Sequence, residues 1–597
     1  MSVDFAIGIG GAAGQGIATP GNILARIFAR RGLHLQTYNA HQSIIRGGHT
    51  FLTLRVHEHR ALSIGDQLDL MIALNQDTLD RHLRLMSPGS YVLFNKDKLN
   101  PGPVREGVQL CPLPVRELSQ LVGSKGEIAQ NTLALAATLC LLGVEFDVLE
   151  EILSLQFAKK GPEVIRQNVD LARAGYHHAR EAFLPFDWSL PDHSDRQLAA
   201  LTGNQAMALG AVAAGVKFYC AYPMSPATGI LMWLASHARQ AGMLVRQAED
   251  EIAVINAVIG AAHTGVRAMT ATSGGGFALM SEAIGMAGIM ELPLVCVNVM
   301  RGGPSTGLPT KTEQADLWQV LGASQGDFPK IIVAVTDVQD SFETIPQLFN
   351  LVDKYQCPGM VISDLYLSEG TATVPAAALH NEFVQNRGEL IRPPDIEPGF
   401  SGEYLRYLTT DSGISPRAVP GTPGHAHVVA SDEHDEAGVL ISDEFTNPHK
   451  RRQIADKRQR KVDGLLSELP LPGLEGPVDA ELTLVGWGST HGVIREAIQQ
   501  LGEQGISANH LQIKWLWPFP ADHVEALLKG QKHLFIVELS QSGQFARFLR
   551  GETGIKAQGH IRKYDGEPLL PKQIVDAVLE QVAGQTSLSV PLHEMMV

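Results

Sequence analysis

The stretch VRAMTATSGGGFALMSEAIGMAG, residues 266–288, is typical of a strand followed by a helix in an α/β domain. It opens with an apolar run typical of a buried strand, and a glycine run then leads into a helix of small and apolar residues. The same order recurs on both sides, with strands indicated by KFYCAY, LPLVCVNVM, KIIVAV and GMVISDL. Because strands that alternate with helices form parallel sheets, residues 198–375 are predicted to fold as a doubly wound α/β domain.

Two further α/β units flank this domain. In residues 1–185 the strand VDFAIGIGG precedes the helix GIATPGNILARIFARRG, which ends at Gly32. Residues 476–590 repeat the pattern in ELTLVGWGSTHGVIREAIQQLGEQG and KHLFIVELSQSGQFARFL. The strand and helix patterns become irregular ahead of this last unit, so residues 376–475 are predicted to be an irregular connecting segment. Its basic run HKRRQIADKRQRK is interpreted as a solvated helix face or a linker.

Composition and charge argue against several classes of protein. A chain of 597 residues is expected to form several domains. Its net charge of −15 argues against general binding to nucleic acids or anionic membranes. The five cysteines form no C-x-x-C pair, which supports neither a disulfide scaffold nor a metal or iron–sulfur site in this chain. No signal-peptide pattern opens the chain, and the apolar residues 133–144 are too few to span a bilayer, so we expect a buried helix there and a soluble, cytoplasmic protein.

The segment AYPMSPATGILMWL, residues 221–234, places hydroxyl groups at the end of a predicted strand. Pro223 and Pro226 restrict the residues before them to extended geometry, so the strand should stop abruptly here. The sequence therefore predicts that the Ser225 hydroxyl is held rigidly at a strand end.

Two charged residues of the same domain are candidates for ligand binding. Glu249 and Asp250 are interpreted as acids that complement a helix dipole. Glu251 differs because the apolar face of the following helix begins beside it, and a carboxylate at the rim of a buried face needs a partner such as a ligand. Arg301 follows a strand at the end where α/β proteins bind ligands, and its guanidinium suits a carboxylate. A surface ion pair is the alternative for Arg301.

A glycine-rich segment near the N-terminus, GIGGAAGQG at residues 8–16, indicates a phosphate-binding loop between a strand and a helix. It fits the dinucleotide-binding pattern, but no acid stands between Phe5 and His57 to hold the ribose of NAD. The same window holds five arginines, which favours a more heavily phosphorylated ligand. A tight turn for helix–strand packing is the alternative, although Arg46 in SIIRGGHT, residues 43–50, adds a second loop suited to an anion.

Several motifs together resemble one enzyme family. YPMSPAT, EDEIAVINAVIGAAHTG, TSGGGFALMSEAIGMAG and RGGPSTGLPTKTEQADL are similar to the α subunit of 2-oxoacid:ferredoxin oxidoreductases, nearest to the 2-oxoglutarate type. GIGGAAGQGI with SIIRGGHT resembles the γ domain of that family, fused here ahead of α, and KWLWPFP at residues 514–520 resembles its transketolase C-terminal-like domain. The resemblance implies several doubly wound α/β domains, with a thiamine diphosphate pyrimidine-binding domain at residues 198–375.

The resemblance implies a thiamine diphosphate enzyme that decarboxylates a 2-oxoacid, passes electrons singly to ferredoxin and forms an acyl-CoA. Glu251 would hydrogen-bond the aminopyrimidine of the cofactor and favour the imino tautomer that removes the thiazolium C2 proton. Arg301 would hold the oxoacid carboxylate. Ser225 stands where the family usually has threonine and keeps a hydroxyl facing the substrate. Tyr222 and Pro223 belong to the same implied cofactor site.

The resemblance also implies CoA and a partner subunit. Because CoA carries a diphosphate and a ribose phosphate, we predict that it binds the glycine loop and its neighbouring arginine, namely Gly10, Gly11, Gly14, Gly16 and Arg46. The sequence has no G-D-G…N segment for a diphosphate and Mg²⁺ and no cysteine set for a cluster. In the family, the β subunit carries both the Mg²⁺ site and a 4Fe-4S cluster. We therefore expect a dimer of αβ heterodimers, with no metal ligand in this chain.

Other functions stay open at this point. Pyruvate or a branched 2-oxoacid is an alternative substrate, and reductive carboxylation uses the same groups as oxidation. A nicotinamide-dependent dehydrogenase would use the N-terminal glycine loop, but the acid-free window argues against it. A non-catalytic paralogue that only binds a partner is disfavoured because Glu251, Arg301 and the Ser225 hydroxyl are all present.

Overall fold

Three β-sheets with helices packed on them organise the chain, and the apolar cores lie between each sheet and its helices. The α/β class predicted from the alternating pattern is confirmed. The computed structural model describes residues 3–42, 47–123, 127–186, 188, 190–191, 194–380, 382–391, 402–441 and 447–593.

Strands and helices alternate along most of the chain. The strands are β1 (Asp4–Ala13), β2 (His34–Ala40), β3 (Gly47–His57), β4 (Leu68–Ala73), β5 (Met86–Asn95), β6 (Gln109–Leu113), β7 (Leu198–Thr202), β8 (Phe218–Ala221), β9 (Leu244–Gln247), β10 (Ala268–Thr272), β11 (Leu294–Met300), β12 (Ile331–Ala334), β13 (Pro358–Asp364), β14 (Thr371–Pro375), β15 (Leu474–Glu475), β16 (Leu482–Trp487), β17 (Ala508–Ile513), β18 (Trp515–Trp517), β19 (His533–Glu538), β20 (Gly559–Arg562) and β21 (Leu588–Ser589). The α-helices are α1 (Ala18–Arg30), α2 (Gln76–His82), α3 (Val115–Leu121), α4 (Glu127–Leu141), α5 (Phe146–Gln156), α6 (Pro162–Ala182), α7 (Gly203–Ala213), α8 (Thr228–Ala241), α9 (Glu251–His263), α10 (Gly274–Ile289), α11 (Leu317–Leu321), α12 (Val338–Tyr355), α13 (Leu365–Glu369), α14 (Pro448–Glu468), α15 (Thr490–Glu503), α16 (Ala521–Leu528), α17 (Gln544–Thr553) and α18 (Pro571–Val582). Short 3₁₀ turns occur at Leu83–Leu85, Ala158–Lys160 and Ala376–Ala378.

The first sheet is mixed and has eight strands in the order β6-β5-β4-β1-β3-β2-β14-β7. Strand β1 pairs in parallel with β4 and antiparallel with β3. It runs through Ala13, so the predicted glycine loop is shorter than expected: Gly10 and Gly11 are strand residues, and the turn begins at Gly14. Glycine is required at position 10 by packing, since a Cβ there would overlap with Thr78 Cγ2 and lie 2.9 Å from the Phe51 ring of β3.

Strands β7 and β14 complete this first sheet, although the sequence analysis placed both in the second unit. Strand β14 pairs antiparallel with β2 and with β7. The Leu35 amide of β2 also donates a hydrogen bond to Thr373 Oγ1 of β14 at 3.0 Å. The strands that precede and follow the second sheet in the sequence, β7 and β14, therefore both belong to the first sheet. This pairing holds the two units together.

The second sheet has seven strands in the order β18-β12-β13-β11-β10-β8-β9. Strands β12, β13, β11, β10, β8 and β9 pair in parallel, and β8, β10, β11, β12 and β13 are the strands predicted from the sequence. Strand β18 comes from KWLWPFP and pairs antiparallel with β12, so a segment assigned to the C-terminal domain completes this sheet. Strands β10, β11 and β13 are buried along their whole length, as expected of parallel strands covered on both faces.

The third sheet has six strands in the order β15-β17-β16-β19-β20-β21. All of its neighbours pair in parallel except β15, which runs antiparallel to β17. Trp487 and Leu511 of this sheet share one apolar cluster with Val254 and Phe277 from the helices of the second sheet. The second and third units are therefore joined by a continuous core.

The connecting segment contains a long helix, α14, whose basic residues are partly buried. Lys457 and Lys461 are fully buried, and both donate to the carboxylate of Glu291, just past the end of α10. Arg458 pairs with Glu433 at 2.8 Å. The interpretation of this basic run as a solvated face or linker is therefore wrong for these three side chains. The first two lie four residues apart and so share the helix face that packs inward.

The apolar residues 133–144 fall largely within helix α4 and continue just beyond it, and Leu133, Ala136 and Leu139 in that helix are fully buried. The prediction of a buried helix there is confirmed. Among the helices of the described ranges, none combines the length and the apolar character that crossing a bilayer requires.

Candidate active site at the carboxyl edge of the second sheet

The candidate site lies where the parallel strands of the second sheet end, which is where α/β sheets bind ligands. Strands β8, β10 and β11 are neighbours in that sheet. The loops or helices that follow them carry Ser225, Gly274 and Arg301 in turn, and Glu251 begins α9 soon after the edge strand β9. The topology thus brings the residues predicted from three separate motifs to one edge.

Glu251 is a buried carboxylate with an unsatisfied oxygen. It is the first residue of α9, and only 5% of its surface is exposed. Asp250 is the residue that caps this helix, accepting from the Ala253 amide at 2.7 Å, in keeping with its interpretation as a helix-terminal acid. In the described structure Glu251 Oε1 has no hydrogen-bond donor. Because burying an unpaired carboxylate is unfavourable, this oxygen is suited to a hydrogen bond with a ligand.

A glycine in the first turn of α10 lies directly against Glu251. A Cβ on Gly276 would be 2.6 Å from Glu251 Oε1 and would also overlap with the Thr272 hydroxyl. The neighbouring Gly275 differs, because no heavy atom lies within 4 Å of its Cβ position. Gly276 therefore makes room for the carboxylate, whereas a methyl group at Gly275 would meet no other part of the chain.

Arg301 and Ser225 meet across the loops that follow β11 and β8. Arg301 Nη1 donates to the backbone carbonyl of Ser225 at 2.6 Å, so the contact uses the carbonyl of the serine and not its hydroxyl. The arginine is half-buried, and burial lowers the pKa of its guanidinium. Tyr222, Pro223 and Ser225 are exposed at the same edge. The described structure holds no second hydrogen bond of this guanidinium, whose remaining N–H groups can meet an anion.

A set of polar residues beside Arg301 was not predicted from the sequence, namely Asn298, Glu313 and Asp316. Asn298 Nδ2 donates to Asp316 Oδ2 at 3.0 Å, and that oxygen lies 2.6 Å from the Cβ position of Gly274. Burial raises the pKa of Asp316, and it raises the pKa of Glu313 to about 7. The signal present in the sequence is the lone asparagine of LPLVCVNVM, because a polar side chain inside a buried strand needs a partner.

The loop that follows Arg301 connects all three units. Thr310 Oγ1 donates to the His41 carbonyl of the first unit at 2.8 Å. The Thr312 amide donates to the Gly566 carbonyl of the third unit at 3.0 Å. The chain just after β2 therefore contacts the loop that follows Arg301.

The residues predicted to bind CoA are divided between a strand and a turn. Gly10 and Gly11 lie in β1, whereas Gly14 and Gly16 adopt φ angles of 94° and 74° in the turn that follows. No heavy atom lies within 4 Å of the Cβ position of Gly14, so its backbone is open to a ligand. Arg46 lies outside the described residues.

Known proteins match most of the chain. Residues 6–178, 209–452 and 480–566 match families described as "Pyruvate ferredoxin/flavodoxin oxidoreductase", "Pyruvate flavodoxin/ferredoxin oxidoreductase, thiamine diP-bdg" and "Pyruvate:ferredoxin oxidoreductase core domain II". The 2-oxoacid:ferredoxin oxidoreductase 2, subunit alpha, of Aeropyrum pernix is 32% identical over 96% of this chain and 97% of that protein. The chain belongs to the 2-oxoacid:ferredoxin oxidoreductase α-subunit family. The resemblance inferred from the motifs is confirmed.

Two further relatives of this α subunit carry more specific names. The 2-oxoglutarate oxidoreductase subunit KorA of Mycobacterium tuberculosis is 32% identical over 96% of this chain and 91% of that protein. The solved structure of 2-oxoglutarate:ferredoxin oxidoreductase from Magnetococcus marinus, with 2-oxoglutarate, coenzyme A and succinyl-CoA bound, has a TM-score of 0.90 and 34% identity, covering 98% of this chain and 100% of that chain. The α subunit therefore has the fold of a 2-oxoacid:ferredoxin oxidoreductase chain and belongs to that class of enzyme.

In this α subunit, Gly276→Ala should displace Glu251. Overpacking a tightly packed site costs about 1–3 kcal/mol, and the added methyl group would meet Glu251 Oε1 directly. We expect the turnover of the enzyme, assembled with its partner subunit, to fall by roughly 10-fold or more. Gly275→Ala is the matched control and should retain turnover close to that of the parent. An equal loss in both variants would assign the effect to the start of α10 and not to the contact with Glu251.

Proposed function

We propose that this α subunit acts in a thiamine diphosphate-dependent enzyme that interconverts 2-oxoglutarate, CoA and oxidised ferredoxin with succinyl-CoA, CO₂ and reduced ferredoxin. The observation that carries the proposal is the buried Glu251, whose Oε1 lacks a donor beside the glycine start of α10. The residues present fit the cofactor, because an aminopyrimidine is flat and offers a ring nitrogen that can share a proton with a carboxylate. The matched family described as thiamine diP-bdg, over residues 209–452, supports the same cofactor.

Each residue of the site would have a separate task. Thiamine diphosphate, when bound, supplies a thiazolium carbon that becomes a nucleophile once its C2 proton is lost. Glu251 would hold a proton against the aminopyrimidine ring and so favour the imino form that accepts the C2 proton. Arg301 would bind the oxoacid carboxylate through the N–H groups not used by the Ser225 carbonyl. The Ser225 hydroxyl would donate to the substrate, and Tyr222 and Pro223 would line the exposed side of the site.

The proposal requires a partner subunit. The chain has no G-D-G…N segment, and its five cysteines include no C-x-x-C pair that would indicate a cluster site. We assign the diphosphate and Mg²⁺ site and the 4Fe-4S cluster to a β subunit, which would pass electrons to ferredoxin. Exposed apolar side chains on α9, α10 and α11 support a covering partner, since Ile252, Leu279 and Trp318 are 53%, 53% and 47% exposed. A dimer of αβ heterodimers follows from the general preference for closed symmetry.

The substrate is tested by steady-state assays of the assembled enzyme. Pyruvate, 2-oxoglutarate and branched 2-oxoacids are compared in the presence of CoA and a one-electron acceptor. We expect the highest kcat/KM with 2-oxoglutarate, in line with the names of the two relatives described above. A preference for pyruvate or a branched 2-oxoacid would replace the proposed substrate. No turnover with any oxoacid would favour a non-catalytic paralogue.

Arg301→Ala should weaken use of the oxoacid. Loss of a hydrogen bond between charged groups costs about 1.5–3 kcal/mol, so kcat/KM for the oxoacid should fall by roughly 10- to 100-fold, mainly through a higher KM. Arg239→Ala is the control, because Arg239 is exposed near the end of α8 that points away from the site. An unchanged KM in Arg301→Ala would mean that Arg301 only braces the loop through the Ser225 carbonyl.

For CoA, we propose a site formed by the turn at Gly14 and Gly16 together with Arg46. The contact between Thr310 and His41 supports this proposal, since it holds the chain just ahead of Arg46 next to the loop that follows Arg301. Arg46→Ala should raise the KM for CoA by about 10-fold if one charge-assisted contact is lost. The exposed Arg166, which pairs with Glu163 on α6, supplies the control variant Arg166→Ala. A normal KM for CoA with altered thermal stability would leave this turn with a packing role only.

A further inference from the structure

Three side chains at one end of the third sheet converge without any motif in the sequence. Glu475 lies in β15, His491 in the first turn of α15 and His510 in β17. One ligand atom from each of them lies within 4.8 Å of the other two. Glu475 Oε1 and His491 Nε2 are 3.3 Å apart, and the two imidazole rings lie 5.5 Å apart at 28° to each other.

His510 is the least expected member of this cluster. It is 1% exposed, and neither of its ring nitrogens has a hydrogen-bond partner in the described structure. A neutral imidazole carries a lone pair on one of its two ring nitrogens, and that nitrogen can bind a metal ion. The side chain of Gln512 interacts with this ring, and Gln512 Oε1 can accept a hydrogen bond from one ring nitrogen, which leaves the other nitrogen for a ligand. A buried ring nitrogen without a partner points to a missing ligand.

The separation of the Glu475 and His491 donor atoms suits a small transition-metal ion, and the His510 donor atom lies within 4.8 Å of both. Zinc binds imidazole nitrogen and carboxylate oxygen at about 2.0–2.2 Å, so two ligands at a tetrahedral angle lie roughly 3.4 Å apart. The observed 3.3 Å between Glu475 and His491 agrees with that separation. Arg495 Nε lies 3.4 Å from the other carboxylate oxygen of Glu475 and can orient the carboxylate as an outer partner. Its positive charge should also weaken cation binding, so we do not expect the tightest class of zinc site.

We propose that Glu475, His491 and His510 form a site for a divalent transition-metal ion such as zinc, with water as the fourth ligand. Two imidazoles and one carboxylate favour this class of metal over Mg²⁺ or Ca²⁺, which prefer oxygen ligands. Strand β15 is the first strand after α14, and its only pairing in the described structure is with β17. A metal bound there would fasten the end of the connecting segment to the third sheet. The proposal is independent of the thiamine site.

The competing explanation needs no metal. His491 and Glu475 would then form an ordinary surface ion pair, with His510 a buried histidine stacked behind it. The two explanations differ in one measurable respect, which is whether a stoichiometric ion binds with the three side chains as ligands.

Zinc titration of the assembled enzyme tests the proposal. After removal of loosely bound metal, the parent should bind one zinc ion per α subunit that His491→Gln and Glu475→Gln bind at least about 10-fold more weakly. His533→Gln is the matched control, because His533 is an exposed histidine at the start of β19 in the same sheet. Glu475 is exposed, so Glu475→Gln keeps the test valid if a histidine variant fails to fold.

Crystals of the assembled enzyme soaked in zinc chloride give the second measurement. We expect an anomalous difference peak at the zinc edge between the three side chains in the parent, and its loss in His491→Gln. Equal zinc affinity in parent, His491→Gln and His533→Gln, or an anomalous peak elsewhere, would overturn the proposal.

Discussion

In the enzyme assembled with its partner subunit, Glu251→Gln should slow exchange of the thiazolium C2 proton by roughly 10²- to 10⁴-fold. Glutamine preserves the size and burial of the side chain, but it cannot share a proton with the aminopyrimidine as a carboxylate does. The imino form then becomes much less favourable, and removal of the C2 proton becomes limiting. We expect the affinity for thiamine diphosphate to fall only modestly, because contacts to the diphosphate and Mg²⁺ are assigned to the partner.

Proton exchange followed by NMR after acid quenching measures this step directly, without dependence on substrate turnover. Glu249→Gln is the matched control, since Glu249 is an exposed acid two residues earlier in the chain. Arg301→Ala should also leave the exchange nearly intact, because Arg301 is proposed to act on the substrate. Exchange at the parent rate in Glu251→Gln would make Glu251 a helix-terminal acid with no part in cofactor activation.

The interior strands of the second sheet could be predicted because each is a short, continuous apolar run bounded by turns. Strands β10, β11 and β13 are buried from end to end, and parallel strands covered on both faces have this pattern. The edge strands could not be assigned in the same way. Strand β14 pairs with β2, more than 300 residues away in the chain, and β18 crosses from the C-terminal unit to β12. No local pattern specifies which sheet an edge strand will join, because the pairing depends on how complete units pack.

A candidate site residue could be predicted from the sequence where the neighbouring residues alone determine its surroundings. Glu251 was singled out because it stands at the rim of an apolar helix face, and the structure buries it there. The partner of Arg301 was not predictable, since its contact is a backbone carbonyl supplied by Ser225 from another loop. Asp316 was missed for a similar reason. Its hydrogen bond with Asn298 of β11 forms only when the long loop after that strand folds back.

Helix α14 shows that a run of basic residues in the sequence does not establish a solvent-exposed helix face. Seven basic residues in twelve suggested a solvated surface, but Lys457 and Lys461 are fully buried around one carboxylate. That carboxylate belongs to Glu291, more than 160 residues earlier, so the sequence near the basic run carries no sign of it. A buried cation is tolerated only when paired, and the pair is known only from the packing of α14 beside the end of α10.

Glu291→Gln should therefore be among the most destabilising single substitutions in the chain. It leaves Lys457 and Lys461 buried without a carboxylate, and breaking a buried ion pair in this way costs about 3–5 kcal/mol. For a unit of ~150–250 residues, each kcal/mol of lost stability lowers Tm by about 2–4 °C. The Tm of the calorimetric transition that includes α10 and α14 should therefore fall by roughly 10 °C. Differential scanning calorimetry is the suitable measurement, because it resolves the transitions of a chain with several domains.

The effect should also depend on pH. In the parent, the two ammonium groups hold the pKa of the Glu291 carboxyl well below its usual range, while burial lowers the pKa of Lys457 to about 7. Without the carboxylate, the folded variant should release the lysine protons, whereas the unfolded chain keeps them up to about pH 10.4. The unfolded state of the variant then binds more protons, so its stability rises with pH. The loss relative to the parent should be larger at pH 6 than at pH 9.

Glu468→Gln provides the control on the same helix. Glu468 pairs with Lys354 at the surface, where both side chains are about one-third exposed, and such pairs contribute about 0–1 kcal/mol. Loss of this ion pair should lower the transition temperature by no more than a few degrees. The decrease should not show the pH dependence expected for Glu291→Gln. If the two variants lowered the transition equally, the buried cluster would contribute no more than a surface ion pair. Helix α14 would then be held in place by apolar contacts such as those of Ile454 and Leu465, which are buried on the same helix.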